Sequence, residues 1–270
     1  MKITFLTDNY TDQKEILSEH GFSCIVTFDN FRFIFDTGQT FTMKHNAKVL
    51  DIMLDNINTI FLSHGHYDHT GGLKYLNNPQ KKYLVYSSIN INSRHMKKNS
   101  DGTYTFIGLN DEISNSELLN FKLVENSINI NANIIFTHIT KYDNFDSDSN
   151  LYIKEKKVYK RDAFDDEMFL ILKESGGISV LTGCSHRGIL NIIKTAINIT
   201  GVNTIKNLIG GFHLFRSSED EIIEIAQEIN NYNIKHIITG HCTGLNGLFV
   251  LQNVCKSKIT PIKTGLTLTS

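Results

Sequence analysis

The last 100 residues alternate apolar strand patterns with amphipathic helix patterns, and this regularity limits the folds open to the chain more than any other feature. Residues 168–183 predict two strands joined at a Gly-Gly pair, and residues 188–201 predict a helix that ends at a glycine. Further strands are predicted over 205–211 and 234–240, each followed by a helical pattern. Strands that alternate with helices imply an α/β protein in which helices cover the faces of a sheet.

The first third of the chain shows the same strand signals with shorter helices. Residues 24–38 predict a hairpin that turns at Asp29-Asn30. Apolar residues at helical spacing predict a helix between Thr42 and Asn56, and a strand follows over 59–63. Residues 88–161 are less regular. We interpret them as surface strands and loops, with a substrate lid as the alternative.

Charge and composition exclude several classes of partner. The formal net charge of -1 gives no argument for nucleic acid or an anionic membrane surface as the main partner, and neither is expected. No apolar run approaches the roughly 20 residues of a membrane helix, and the first residues lack the pattern of a secretory signal, so a cytoplasmic protein is expected.

The four cysteines are widely spaced, which favours reduced thiols. Since no repeat or linker divides the chain, we predict a single domain over residues 1–270.

Histidines follow the apolar strands at four separate places in the sequence. In an α/β sheet, ligands bind at the carboxyl ends of the strands, so side chains at these ends are expected to converge. The strand ends carry His64, His66, Asp68 and His69; Cys184-Ser185-His186; His213; and His241-Cys242.

The first of these groups has a spacing that suits metal binding. His64 and His66 point to the same side of an extended segment, so both imidazoles can bind one ion. Asp68 and His69 follow a predicted turn and can serve a second ion, with His186 and His241 as candidates for further ligands. A lone loop histidine is usually solvated, but three in six positions favour a metal site. The remaining histidines are interpreted as surface or packing residues, with His95, which follows Arg94, kept open as an exception: His20, His45, His95, His138 and His236.

The pattern His64-x-His66-x-Asp68-His69 resembles the signature of the metallo-β-lactamase superfamily. Asp36 in "IFDTG" resembles the aspartate that supports the metal loop of that superfamily. The stretches "TGCSHRGILN", "IGGFHL" and "TGHCTG" are similar to those of a subgroup described as dihydropterin aminobenzene ribofuranosyl phosphate synthase-like proteins. The resemblance spans nearly the whole chain, and it implies a four-layer αββα sandwich, the metallo-β-lactamase fold.

The resemblance also implies a ligand set for two divalent metal ions. His64 and His66 are assigned to one ion, and Asp68, His69 and His241 to the other, with His186 as a further ligand. Cys184 stands where the superfamily usually carries a bridging aspartate, and Cys184 and Asp166 are both candidates for a ligand or supporting role there. Relatives of the diiron flavoprotein class carry glutamate at the position of His66, so the histidine argues against that class. Nitrogen-rich ligands favour zinc, with iron or manganese as alternatives.

The expected activity is that of a metal-dependent hydrolase, or a related lyase or transferase, which activates water for attack on a carbonyl or phosphoryl centre. Asp68 is the candidate for orienting the water and moving a proton. His213 is the candidate for a hydrogen bond to the oxyanion or the substrate, with a supporting role as the alternative. Arg187 and Arg94 are candidates for binding a phosphate or carboxylate. The subgroup resemblance implies a small anionic substrate, phosphorylated or pterin-like.

Two other functions stay open on the same fold. One is a lactone or thioester hydrolase, which needs an apolar acyl pocket and should act on generic lactones. The other is a non-catalytic ligand sensor that retains the metals, against which Asp68 argues. The sequence favours neither a monomer nor a homodimer.

Overall fold

The computed structural model describes residues 1–139 and 150–269. Its α-helices are α1 (Thr42–Val49), α2 (Tyr67–Thr70), α3 (Asp111–Ser114), α4 (Ile189–Thr200), α5 (Glu219–Ile229) and α6 (Gly244–Val254). Its strands are β1 (Lys2–Thr7), β2 (Ser23–Phe28), β3 (Phe31–Phe35), β4 (Thr59–Phe61), β5 (Tyr83–Ser88), β6 (His95–Lys98), β7 (Tyr104–Phe106), β8 (Leu119–Val124), β9 (Ser127–Asn129), β10 (Ile134–His138), β11 (Leu151–Glu155), β12 (Val158–Arg161), β13 (Met168–Glu174), β14 (Gly177–Leu181), β15 (Thr204–Gly210), β16 (Asn233–Thr239), β17 (Lys258–Pro261) and β18 (Thr267–Thr269).

The described chain divides into two compact units. The first unit comprises residues 1–125, 150–166 and 263–269, and the second comprises 126–139 and 167–262. The single domain predicted from the sequence stays a prediction. Within the described residues, no helix combines the length and apolar character that a membrane crossing requires.

The first unit contains a seven-stranded sheet and a four-stranded sheet. The strand order of the larger sheet is β18-β1-β2-β3-β4-β5-β8, antiparallel from β18 to β3 and parallel from β3 onward. The smaller sheet is β12-β11-β6-β7 and is antiparallel throughout. The predicted hairpin is confirmed: Asp29 and Asn30 adopt φ angles of 52° and 62° between β2 and β3, which is the backbone of a two-residue turn.

The helix predicted between Thr42 and Asn56 is shorter than the sequence pattern indicated. Helix α1 buries Met43 and Ala47 and ends at Val49, because Asp51 takes a left-handed conformation with φ 54°. A separate 3-10 turn then covers Leu54–Asn56. Only the first half of this stretch is therefore α-helical, since the apolar spacing carries no signal for the backbone reversal at Asp51.

The second unit contains one seven-stranded sheet with helices packed against it. The order is β17-β16-β15-β14-β13-β10-β9, and the four strands β14 to β17 run parallel. The buried residues of the helices pack with those of the sheet in one apolar core, which includes Ile192, Ile193, Ala226, Leu251, Leu208 and Ile237. The helix end predicted at Gly201 is confirmed, with φ 68° at that residue. At the start of α5, Ser218 forms a capping box with Glu221.

The middle region is more ordered than a set of surface strands and loops. Strand β8 joins the sheet of the first unit, and β10 is buried in the sheet of the second, with Ile134 and Phe136 fully enclosed. Placing β10 at the surface was wrong, because the Asn-rich flanks hid a short apolar strand. The lid alternative stays a prediction, and residues 140–149 of this region lie outside the described residues.

Candidate functional site

The strand β4 leads directly into four predicted metal ligands, which we call the amino-terminal cluster: His64, His66, Asp68 and His69. Strand β4 lies between β3 and β5 in the larger sheet of the first unit, and all four side chains beyond its carboxyl end are buried. The ring centroid of His64 lies 4.5 Å from that of His66 and 4.2 Å from that of His69. The structure therefore brings the three imidazoles together.

A buried carboxylate, Asp36, holds two of these imidazoles. Its Oδ2 atom lies 2.7 Å from Nδ1 of His69 and accepts a hydrogen bond of 2.7 Å from the Ser63 hydroxyl. The same hydroxyl oxygen lies 2.8 Å from Nδ1 of His64. Because the single hydroxyl proton goes to Asp36, Nδ1 of His64 must donate to Ser63. Both rings then present Nε2 as an acceptor, which is the state that binds a metal ion, and partners of this kind commonly orient histidine ligands.

A second carboxylate holds the backbone between His64 and His66. The Gly65 N–H donates to Oδ2 of Asp166 at 2.7 Å, and Nε2 of His95 donates to the same oxygen at 3.1 Å. Nδ1 of His95 in turn lies 2.7 Å from Asp162. A Cβ atom on Gly65 would lie 2.5 Å from the carbonyl oxygen of Ile91, so glycine is needed at this position. Asp166, a candidate for the ligand or supporting role, thus supports the loop through hydrogen bonds.

These contacts give His66 and His95 opposite protonation states. Burial, together with the positive charge of His95, lowers the pKa of His66 to about 3. Burial alone would also lower the pKa of His95, but the charge of Asp166 and the hydrogen bonds to Asp162 and Asp166 outweigh it and raise that pKa to about 10. At neutral pH His66 is therefore a neutral imidazole, the form that binds divalent ions. The donor chemistry of the amino-terminal cluster fits a divalent metal.

In the second unit, three parallel strands end beside one another and carry the carboxyl-terminal cluster: Cys184, His186, His213, His241 and Cys242. The last residues of β14, β15 and β16 pair in register, so their carboxyl ends lie at the same edge of the sheet. All five side chains are buried, and the ring centroids of His186 and His213 lie 4.2 Å apart. The convergence expected of these three strand ends is present in the structure.

The loops of this cluster are held in conformations that side chains rarely adopt. Ser185, His213 and His241 have φ angles of 60°, 52° and 47°, and Asp36 in the first unit has 53°. Each such residue costs of order 1 kcal/mol and persists where its surroundings fix it, commonly at functional sites. Glu167 supplies one such constraint, because its carboxylate accepts the backbone N–H groups of His186 at 2.6 Å and of Arg187 at 2.8 Å.

The two cysteines of this cluster lie in an unusual electrostatic environment. Burial would raise the pKa of Cys242, but the hydrogen bond from Cys184 and the neighbouring His241 and His213 outweigh it and hold that pKa well below its ordinary value. In contrast, burial raises the pKa of Cys255, the residue that directly follows α6 in the same unit, to about 11. A lowered pKa makes a thiol easier to deprotonate, and the thiolate is the form that binds metals and reacts.

The two predicted substrate-binding arginines differ in setting. Arg94 is half exposed, donates two hydrogen bonds of 3.0 Å to Asp111 and lies over the ring of Phe106. Arg187 is buried immediately after His186. The structure thus gives Arg94 a local partner on the surface of the first unit and places Arg187 inside the second.

Sequence reasoning missed three supporting residues. The Ser63 hydroxyl contacts both Asp36 and His64. Asp162 contacts the ring of His95, and Glu167 holds the loop of His186. The acids of "RDAFDDEM" were the available signal, because several carboxylates precede a buried strand there. Adjacent members of this stretch serve different units: Asp166 binds the Gly65 loop of the first, and Glu167 the His186 loop of the second.

Comparisons with known proteins agree with this geometry. A family model described as the metallo-beta-lactamase superfamily matches residues 19–95. The chain is 31% identical over 256 residues to an uncharacterized protein of Methanocaldococcus jannaschii, covering 93% of this chain and 94% of that protein. A crystal structure of a metal-dependent hydrolase of the beta-lactamase superfamily matches with a TM-score of 0.86 and 30% identity, covering 100% of this chain and 99% of that one.

The chain belongs to the metallo-β-lactamase superfamily. The fold predicted from sequence, an α/β protein with the metallo-β-lactamase fold, is confirmed. The resemblance to the named subgroup is confirmed as well: the chain is 28% identical to the 7,8-dihydropterin-6-methyl-4-(beta-D-ribofuranosyl)-aminobenzene-5'-phosphate synthase of Methanocaldococcus jannaschii, covering 98% of this chain and 95% of that enzyme. The roles of the individual site residues in this superfamily member stay predictions.

Proposed function

We propose that this superfamily member is a metal-dependent hydrolase that uses two divalent ions of the zinc type. The observation that carries the proposal is the buried Asp36, which orients His69 directly and His64 through Ser63 so that both present Nε2. Such carboxylate-to-histidine contacts fix ligands rather than merely fill a core, where apolar side chains would pack at lower cost. The ligands of the proposal are those predicted from the sequence: His64, His66, Asp68, His69, His186 and His241.

When bound, divalent ions supply Lewis-acid activation of a water molecule. The chain's own contribution begins with Asp68, whose carboxylate is buried and lies 3.7 Å from Nε2 of His69 and 3.2 Å from Nε2 of His20. We assign Asp68 to orient the attacking water and to accept its proton. His20 is exposed on its outer side and can pass that proton to solvent.

The proposed substrate is a small anionic metabolite that carries a phosphate. The support comes from the relative named as the synthase of a phosphorylated pterin-aminobenzene compound, and from Arg187, a buried cation next to a predicted ligand. A buried guanidinium binds phosphate with paired hydrogen bonds that lysine cannot reproduce. Arg187→Lys should therefore raise KM with little change in kcat, whereas Arg216→Lys, an exposed arginine of the same unit, should change neither.

The test of the proposed function is an activity screen with and without metal. The purified protein is assayed on phosphodiesters, pterin phosphates and lactones before chelation, after chelation and after addition of zinc. We expect zinc-dependent hydrolysis in a phosphate arm. Turnover of lactones alone would overturn the substrate class, and turnover that survives complete chelation would overturn the metal dependence.

A further inference from the structure

Two cysteines and a histidine meet inside the second unit. The Sγ atoms of Cys184 and Cys242 and a ring nitrogen of His213 all lie within 4.8 Å of one another, and the three residues are 3%, 5% and 6% exposed. Ligand atoms around one tetrahedral zinc ion lie about 3.5 to 3.8 Å apart, as the zinc–sulfur and zinc–nitrogen bond lengths require. A movement of about 1 Å therefore brings the three donor atoms onto a single ion.

The backbone of the unit is shaped to bring the sulfur atoms this close. Cys184 and Cys242 each follow a parallel strand by three residues, and Gly210-Gly211 passes between them at the end of β15. A Cβ atom on Gly211 would lie 2.5 Å from Sγ of Cys242, so a larger residue would force the thiol away. The thiol of Cys242 points back toward the carbonyl oxygen of Cys184, at 3.5 Å.

The loops around the three donors are fixed by hydrogen bonds rather than by apolar contacts alone. The Ser185 hydroxyl donates to the carbonyl oxygen of Gly211 at 2.7 Å, and the Phe212 N–H donates to the Thr243 hydroxyl at 3.0 Å. These bonds tie the segments that carry Cys184, His213 and Cys242 to one another. His213 also keeps a left-handed backbone there, as expected of a residue whose ring position matters more than its backbone energy.

We propose that Cys184, Cys242 and His213 form a sulfur-rich donor set that binds a thiophilic divalent ion, zinc or ferrous iron. The inference rests on the proposed function, because it names further ligands for that function's metal. Each thiol loses its proton to solvent as its sulfur binds, so loading releases protons. One ring nitrogen of His213 binds the ion, and the other N–H is left for the predicted hydrogen bond to substrate. Thiolates select zinc or iron over magnesium and manganese, so this donor set determines which metal the protein takes.

Cobalt(II) alone is the probe for sulfur ligation. The protein is stripped with a chelator and titrated with cobalt(II), and the near-ultraviolet absorption of sulfur-to-cobalt charge transfer is recorded. Cys184→Ser and Cys242→Ser should each remove about half of this absorption, because each removes one of two thiolate ligands. Cys255→Ser, a cysteine of the same unit outside the cluster, should leave it unchanged. Full absorption in Cys242→Ser would overturn the proposal.

A second measurement needs no variant and so does not depend on their folding. X-ray absorption at the zinc edge of the loaded wild-type protein should show sulfur at about 2.3 Å in addition to nitrogen and oxygen at about 2.0 to 2.1 Å. Zinc surrounded by nitrogen and oxygen alone overturns the sulfur donor set and leaves the proposed hydrolase intact. Hydrolysis that proceeds without metal overturns the proposed function, whatever ligands a bound ion shows.

Discussion

The amino-terminal and carboxyl-terminal clusters are built in different ways. In the first, four predicted ligands come from six consecutive positions. Asp36 holds the ring of His69 directly at 2.7 Å and that of His64 through Ser63, and Asp166 holds the backbone at Gly65. In the second, five donors come from three parallel strands, and the support acts on the backbone, through Glu167 and through close approach at Gly210 and Gly211. The hydrogen bonds of Asp36 thus orient rings in the amino-terminal cluster, whereas those of Glu167 fix the position of a loop in the carboxyl-terminal cluster.

The largest effect is expected from removing a ring of the amino-terminal cluster. His64→Ala should lower zinc affinity by more than about 100-fold, since loss of a supporting partner alone commonly costs 10- to 100-fold. Isothermal titration of zinc into the stripped protein measures this change. His45→Ala, outside the cluster, is the control. A loss of less than tenfold in His64→Ala would mean that His64 is not a ligand.

Backbone placement in the carboxyl-terminal cluster is tested by Gly210→Ala. A Cβ atom there would lie 2.1 Å from the carbonyl oxygen of Thr182, so the loops must shift. We expect the free energy of unfolding to fall by about 3 kcal/mol, as for other strained substitutions. Gly176→Ala, also at positive φ but with open space around it, should cost only about 1 kcal/mol. Equal losses in urea denaturation would show that the close approach does not matter.

Ring orientation in the amino-terminal cluster is tested by Asp36→Asn. The carboxylate accepts from the Ser63 N–H through Oδ1 and from the Ser63 hydroxyl and His69 through Oδ2. An amide has a single accepting atom, so its NH2 group must face at least one of these donors, and zinc affinity should fall about 10- to 100-fold. Asp51→Asn is a matched control, because Asp51 has a nearly identical φ, 54° against 53°, and is exposed. Unchanged zinc affinity in Asp36→Asn would remove the observation on which the proposed function depends.

The smallest effect is expected from Glu167→Gln. The neutral side chain keeps its size but loses charge-assisted bonds to two backbone N–H groups, which should lower the free energy of unfolding by about 1 to 2 kcal/mol. Zinc affinity should change less than in Asp36→Asn, because Glu167 bonds to backbone N–H groups, whereas Asp36 bonds to the ring of a predicted ligand. Glu117→Gln, an exposed residue, is the control. A larger effect on zinc affinity than that of Asp36→Asn would contradict the distinction between the clusters.

The sequence predicted most of the fold because its signals were local. The Asp29-Asn30 turn, the glycine that ends α4 and the strands after which the histidines stand all follow from neighbouring residues. The early end of α1 and the buried β10 did not, since Asp51 and the Asn-rich flanks of β10 obey no simple periodicity. In the same way, the short spacing of the amino-terminal cluster was enough to predict it as a group. The hydrogen bonds of Asp162 and Glu167 could not be predicted, because they join residues that are far apart in the sequence and meet only in the folded chain.

The most direct test of the proposed function is a zinc titration of the stripped protein, with hydrolysis of the substrate found in the screen followed at each addition. We predict that two zinc ions bind per chain, and that activity absent from the stripped protein returns as they bind. Full hydrolytic activity in protein shown to contain no metal would contradict the account.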